Sequence, residues 1–131
     1  LGISRTSKTP TSIYLAQRGF KTTNLPLVPQ IPLPPALTEP HTAFVACLIA
    51  SVDRITEVRR NRALLMSDRD INAYADRTQI AEEIAYSRRI CQEHGWPIID
   101  VTRKSVEETA ATVIQLMNDR RSETQLVESS V

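Results

Sequence analysis

The stretch Gly2-Ile3-Ser4-Arg5-Thr6-Ser7-Lys8-Thr9, continued by Pro10-Thr11-Ser12, decides how the rest of the chain is read. Gly2 and Lys8 have the spacing of the first glycine and the lysine in the phosphate-binding pattern G-x-x-x-x-G-K-[ST], with Ser7 where the second glycine normally stands. The chemistry of such a loop survives the exchange. Backbone N–H groups at a helix N-terminus converge on one point and favour an anion. Lys8 adds a point charge for terminal phosphates, Thr9 offers a hydroxyl to Mg²⁺, and Arg5 adds a guanidinium suited to phosphate oxygens. The candidate nucleotide-binding residues are therefore Gly2, Ile3, Ser4, Arg5, Thr6, Ser7, Lys8 and Thr9, with Lys8 and Arg5 as the catalytic pair. Because a non-glycine residue resists positive φ, Ser7 predicts a loop more open than the standard one.

A short pattern of this kind also arises by chance, so its weight comes from the elements around it. Pro10 fits a first helical turn, and the helix is predicted from about Thr9 to Arg18, with Ile13, Leu15 and Ala16 available for packing and Gly19 as its left-handed stop. Phe20 to Leu25 has room for a short strand. Pro26, Pro29, Pro32, Pro34, Pro35 and Pro40 then enforce an extended connector. The apolar run Ala43–Ala50 reads as a parallel strand buried on both faces, and Ser51 caps a helix to about Leu65 with Ile55 and Val58 inward. Met66 to Ala75 reads as irregular. Asp76 and Gln79 suggest a capping box for a helix to His94, with Ile80, Ile84 and Cys91 on its inner face. Trp96–Val101 is a second buried strand. Ser105 and Glu108 form a capping box for a helix to about Arg120. The expected domain covers 1–121, and 122–131 reads as a polar tail that frays.

Strands alternating with helices imply an α/β fold, a three-layer P-loop kinase-like domain with a mostly parallel sheet. A phosphate loop normally follows a buried strand. Leu1-Gly2 supplies only its end, so the first strand and an N-terminal half are expected upstream.

With 131 residues and a formal net charge of +1, the chain has a real core and no general affinity for nucleic acid or membranes. It shows neither a signal peptide nor an apolar run of spanning length, and so reads as cytoplasmic. Its two cysteines, Cys47 and Cys91, read as separate buried hydrophobes. His41 and His94 read as structural.

Two further regions are candidates. Arg54, Arg59, Arg60 and Arg62 follow the first apolar strand, and Arg59 and Arg62 share a helix face from which a lid over the phosphates could act. Asp53 and Asp100 are the acids nearest the strand ends, where α/β sheets bind ligands, and either is a candidate general base.

Several runs together resemble one family: Gly2 through Ser12, Leu25-Pro26-Leu27-Val28-Pro29, His94-Gly95-Trp96-Pro97-Ile98-Ile99-Asp100-Val101-Thr102, and Ser105-Val106-Glu107-Glu108-Thr109-Ala110. The chain resembles the pyruvate, phosphate dikinase and phosphoenolpyruvate synthase regulatory proteins from Leu1 to Met117. The resemblance implies a bifunctional regulator. One activity uses ADP to phosphorylate a threonine on the target dikinase or synthase; the other removes it with inorganic phosphate and releases pyrophosphate. ADP (or ATP), phosphate or pyrophosphate and Mg²⁺ are the implied ligands, and a homodimer is plausible. The residues alone also allow a small-metabolite kinase or a non-catalytic nucleotide-binding module.

Overall fold

The computed structural model describes residues 1–39, 43–65 and 73–129, and describes side chains within them except at 62–65, 73–75 and 124–129. The elements run α1 (Lys8–Gln17), α2 (Pro35–Thr38), β1 (Cys47–Ile49), α3 (Val52–Leu65), α4 (Ala73–Glu93), β2 (Ile98–Asp100) and α5 (Val106–Ser129). Among the described residues the fold is α/β, built on a small parallel sheet and five helices.

Strands β1 and β2 pair in parallel, Cys47 opposite Ile98 and Ile49 opposite Asp100. All three residues of β1 are buried, as an apolar run between two layers of side chains requires. The parallel pattern continues on the other edge of β1. The Leu1 amino group donates to Ala46 O at 2.8 Å, and Leu48 N donates to Leu1 O at 2.7 Å. One residue on, Gly2 forms a parallel bridge with Pro26: Gly2 N reaches Leu25 O, and Leu27 N reaches Gly2 O at 2.7 Å. The backbone order is thus Pro26, Leu1-Gly2, β1, β2.

The strand expected over Phe20–Leu25 shrinks to that one bridge. Its bonds use the groups of Leu25 and Leu27, so the missing N–H of Pro26 is not needed, and Pro29 and Pro32 prevent the pairing from growing. The proline connector is not wholly extended either, since Pro35 opens the single turn of α2.

Helix starts follow their caps. Ser51 Oγ accepts from Arg54 N at 3.1 Å. Ser105 Oγ accepts from Glu108 N at 3.1 Å while Glu108 reaches back to Ser105 N, a reciprocal capping box. Helix α4 differs: it already includes Ala73, so Asp76 lies within the helix rather than at its N-cap. Helix α5 runs past Arg120 to Ser129, with no break at 122. Gly19 takes φ 90° beyond α1, as a left-handed stop must. On α1 the inward side chains are Thr11 and Leu15, while Ile13 and Ala16 face out. His41 and residues 66–72 lie outside the described residues. His94 is exposed and stacks on Trp96, 4.4 Å between ring centroids.

The core gathers Ile3, Leu27, Leu48, Ile55, Ile80, Trp96 and Ile99 between the sheet and the helices. Helix α1 packs on α5, and α4 packs on both α3 and β1. At that last contact the sequence reading needs correction: Cys47 on β1 and Cys91 on α4 form a disulfide, both sulfurs fully buried. Their separation of 44 residues gave no sign that the inner face of α4 crosses β1 at this point. Closing a loop of that size removes about 4 kcal/mol of unfolded-chain entropy in the simplest account. Reduction is therefore expected to lower the unfolding free energy by about 2–4 kcal/mol. Urea titrations with and without a dithiol reductant check this, and coincident curves would contradict it.

Candidate functional site

The loop after Gly2 closes on the Ile3 carbonyl. That oxygen accepts from Thr6 Oγ1 at 2.8 Å and from Lys8 Nζ at 2.6 Å. Thr6 is buried over Gly2, and Gly2 has no space for a side chain. A Cβ there would lie 2.6 Å from Thr6 Oγ1 and 2.7 Å from Leu48 O. The glycine thus permits a close approach of loop to strand rather than an unusual dihedral.

Two other positions carry the dihedral cost. Arg5 and Ser7 take φ 68° and 62°, so Ser7 adopts the left-handed conformation that a glycine would take and the loop is tightly turned rather than open. Ser7 is the N-cap of α1 yet makes no side-chain cap. The N–H groups of Ser7, Lys8 and Thr9 therefore stand at an uncapped helix start, where the dipole favours negative charge.

These groups face a cavity of about 570 Å³. Ser4, Arg5, Ser7, Lys8 and Thr9 form one wall; Asn24 and Pro26 a second; Ala50, Arg54 and Val58, just beyond β1, a third; Val101 and Lys104, just beyond β2, the last. This is the carboxyl edge of the parallel strands, the usual ligand edge of α/β sheets. Arg5, Lys8, Arg54 and Lys104 line it, and no described lining residue is acidic. Burial, then the nearby Arg5 and Arg59 guanidiniums, push the Lys8 ammonium down to about 8. An apolar cavity of about 380 Å³ lies beyond Lys8, between Thr22–Leu25 and Ala43–Ala46.

Arg59 reaches the site from α3. Its Nη2 donates to Ser4 Oγ at 2.6 Å and to Glu83 Oε2 of α4 at 3.0 Å. Of the pair chosen from the sequence, the structure brings Arg59 to the loop; the Arg62 side chain lies outside the described residues. Arg54 lines the cavity and is half-paired with Glu57 at 3.7 Å, an exposed contact of little weight.

The two acids proposed as bases are placed elsewhere. Asp53 is exposed and bound to Arg77 at 2.6 Å. Asp100 accepts from Thr102 Oγ1 at 2.5 Å and from Thr102 N at 2.9 Å, and Thr102 Oγ1 in turn accepts from Ser51 N. Asp100 thus ties the ends of β1 and β2 together. The Thr102 hydroxyl and N–H hold its carboxyl below the usual range, which suits an anchor and not a proton acceptor. Asn24 and Glu83 were not singled out from the sequence, and only the tertiary approach of their segments reveals them.

For Mg²⁺ the described walls offer the hydroxyls of Ser4, Ser7 and Thr9 and no carboxylate. That donor set fits a metal held chiefly by the phosphate oxygens of a ligand, with Thr9, next to Lys8, as the expected protein hydroxyl.

Fold and site define the class: an α/β protein with a cation-rich loop and an uncapped helix start at the carboxyl edge of parallel strands. Within that class the chain belongs to the kinase/pyrophosphorylase family, whose model matches residues 1–114. It is 58% identical over 123 residues to a protein of Bartonella bacilliformis assigned as a pyruvate, phosphate dikinase regulatory protein, covering 94% of this chain and 44% of that one. Proteins assigned alike in Chelativorans and Sphingopyxis alaskensis are 56% and 52% identical, over 88% and 92% of this chain. The chain spans about 44% of the length of these curated relatives. Among the described residues no helix is long and apolar enough to cross a membrane.

Gly2→Ala is expected to displace the loop from β1, costing about 1–3 kcal/mol in stability by overpacking and weakening anion binding. Thermal unfolding and pyrophosphate titration check it, and a variant matching the parent in both would refute the close-approach account. A bound anion favours charged Lys8 and raises its depressed pKa, so binding takes up a proton and affinity falls as pH rises above about 8. ADP, fully ionised in that range, should bind up to about tenfold more weakly per unit of pH. Calorimetry between pH 7 and 10 shows this decline, or a flat profile that excludes Lys8 from the contact.

Proposed function

We propose that this chain is the nucleotide-binding part of a phosphotransferase that regulates pyruvate, phosphate dikinase or phosphoenolpyruvate synthase through reversible threonine phosphorylation. The observation that carries the reading is the convergence of Lys8, Arg5 and the uncapped start of α1 on one cavity, in a member of the kinase/pyrophosphorylase family. In the forward direction ADP donates its terminal phosphoryl group to the threonine oxygen: the bond to the bridging oxygen breaks, AMP leaves, and the hydroxyl proton is lost. In the reverse direction inorganic phosphate attacks phosphothreonine, giving threonine and pyrophosphate.

The roles follow from the placement. Gly2 to Thr9 cradle the phosphates in a three-layer domain of P-loop kinase type. Lys8 exchanges its bond to the Ile3 carbonyl for the terminal phosphate, since a charge-assisted contact to an anion is the stronger of the two. Arg5 covers the open side, and Arg59 approaches from above at Ser4. Thr9 would hold Mg²⁺, which would supply charge neutralisation when bound. No acid lines the described walls, so the chain's own contribution is positioning and electrostatic stabilisation, which dominate phosphoryl transfer. The relatives' assigned role supports the dikinase as target.

Lys8→Ala is expected to weaken ADP binding by about 10–100-fold, the loss of one charge-assisted contact, and to abolish transfer in both directions in the whole protein. The measurement is calorimetry with ADP, alongside transfer from β-labelled ADP to each candidate target. Unchanged ADP affinity would sink the loop assignment. Label passing from ATP to a small metabolite, with neither target modified, would replace the regulator by a metabolite kinase.

A further inference from the structure

Two ion pairs join α3 to α4, and they differ in kind. Asp53 with Arg77 is exposed on both sides and contributes little. Arg59 with Glu83 is largely buried, the side chains 28% and 17% exposed. The same Arg59 nitrogen that binds Glu83 also donates to Ser4 of the phosphate loop. Arg59 Nε is shut off from solvent and has no hydrogen-bond partner among the described residues. The contact that bears on the loop is the one from Nη2, which sets the guanidinium beside Ser4 with the Glu83 carboxylate behind it. An anion seated on the loop beside Ser4 would be a neighbour of this guanidinium.

We infer that Glu83 is a positioning residue, whose carboxylate holds the Arg59 guanidinium against Ser4 and so delivers it to the phosphoryl group bound at the loop. The inference rests on the phosphate-site reading above and adds to it a residue on another helix that never touches the ligand. Without Glu83, Arg59 is a long, flexible side chain among cations, and repulsion from Lys8 and Arg5 drives it outward. With Glu83, one short contact fixes the fork and offsets part of that repulsion. A neutral acceptor would do neither as well, because the charge-assisted bond is the stronger.

The test reads Lys8 in the nucleotide-free chain. The charged groups facing Lys8 are Arg5 on the loop and Arg59 on α3, with Arg54 and Lys104 on the same cavity; the Leu1 amine, lowered to about 6 by burial and then by Lys8, is neutral in the range where Lys8 titrates. Competitive acylation of the Lys8 amine against pH, read by mass spectrometry, gives its titration midpoint, expected at about 8 in the parent chain. Arg59→Gln removes a positive neighbour, so the midpoint moves up toward the ordinary lysine range. If Glu83 positions Arg59, Glu83→Ala and the bulk-retaining Glu83→Leu release the guanidinium and move the midpoint up as well. If Arg59 stays in place without Glu83, only a negative charge is lost and the midpoint moves down or not at all. Those two results overturn the inference, and the opposite sign establishes the positioning. Pyrophosphate titration then reads delivery: each single variant weakens binding about 10–100-fold, and Arg59→Gln with Glu83→Ala is no weaker than Arg59→Gln alone. Additive losses in the double variant overturn delivery through Arg59. A parent chain that binds no pyrophosphate defeats the phosphate-site reading and delivery with it, while the acylation midpoint still decides whether Glu83 places Arg59.

Discussion

The close packing of Gly2 between β1 and Thr6 governs the site. Leu1 and Gly2 pair on one side with β1 and on the other with Pro26, so the backbone entering the loop is held on both edges by hydrogen bonds of fixed register. The chain must then turn away at once, and it does so with Thr6 folded back over Gly2 and both Thr6 and Lys8 bound to the Ile3 carbonyl. A methyl group at position 2 would collide with a strand carbonyl, which cannot move without disturbing β1, and with a buried hydroxyl. The direction in which α1 begins, and hence where its free N–H groups point, follows from that one contact.

What the loop gains in directed N–H groups it spends in electrostatics. Lys8 is partly buried, and burial first, then the Arg5 and Arg59 guanidiniums beside it, depress its pKa. In a stability-optimised surface such a cluster would be diluted by carboxylates. Here the described walls hold none, and the one carboxylate that reaches the cluster, Glu83, binds Arg59 from behind the loop. The positive potential is therefore left facing the cavity. Preorganised charge of this kind is what the proposed phosphoryl transfer would draw on.

The loop, the alternation of helices and strands and both buried strands were legible because each rests on local chemistry: a glycine-to-lysine spacing, capping residues, unbroken apolar runs. Ser105 and Glu108 announced α5 because their reciprocal bonds are made within one turn. Where sequence reading went astray, a tertiary contact decided. Asp100 sits at a strand end as the pattern requires, yet Thr102 claims it; Asp53 is claimed by Arg77 from another helix. Ile13 and Ala16 are three apart and could share a face of α1, but α5 packs on the helix where Thr11 and Leu15 are buried, two residues to either side of Ile13 and so on the opposite face. Cys47 and Cys91 meet only because α4 crosses β1, and no spacing rule relates residues that far apart.

Helix α4 shows how such contacts combine. Ile80, Glu83, Ile84, Ser87 and Cys91 recur every three or four residues and so share its inner face. That face is apolar where it meets the core and acidic only at Glu83, where it meets Arg59. Cys91 fastens the far end of the same face to β1, the strand that also holds Leu1 and positions the loop. A slip of α4 by one turn would carry Glu83 about 5.4 Å along the axis, well beyond the reach of a hydrogen bond. A covalent anchor two turns away removes that freedom. The strand that pairs with the entry to the loop and the helix that holds Arg59 are thus locked to one another, and the cavity wall keeps its geometry although its charges repel.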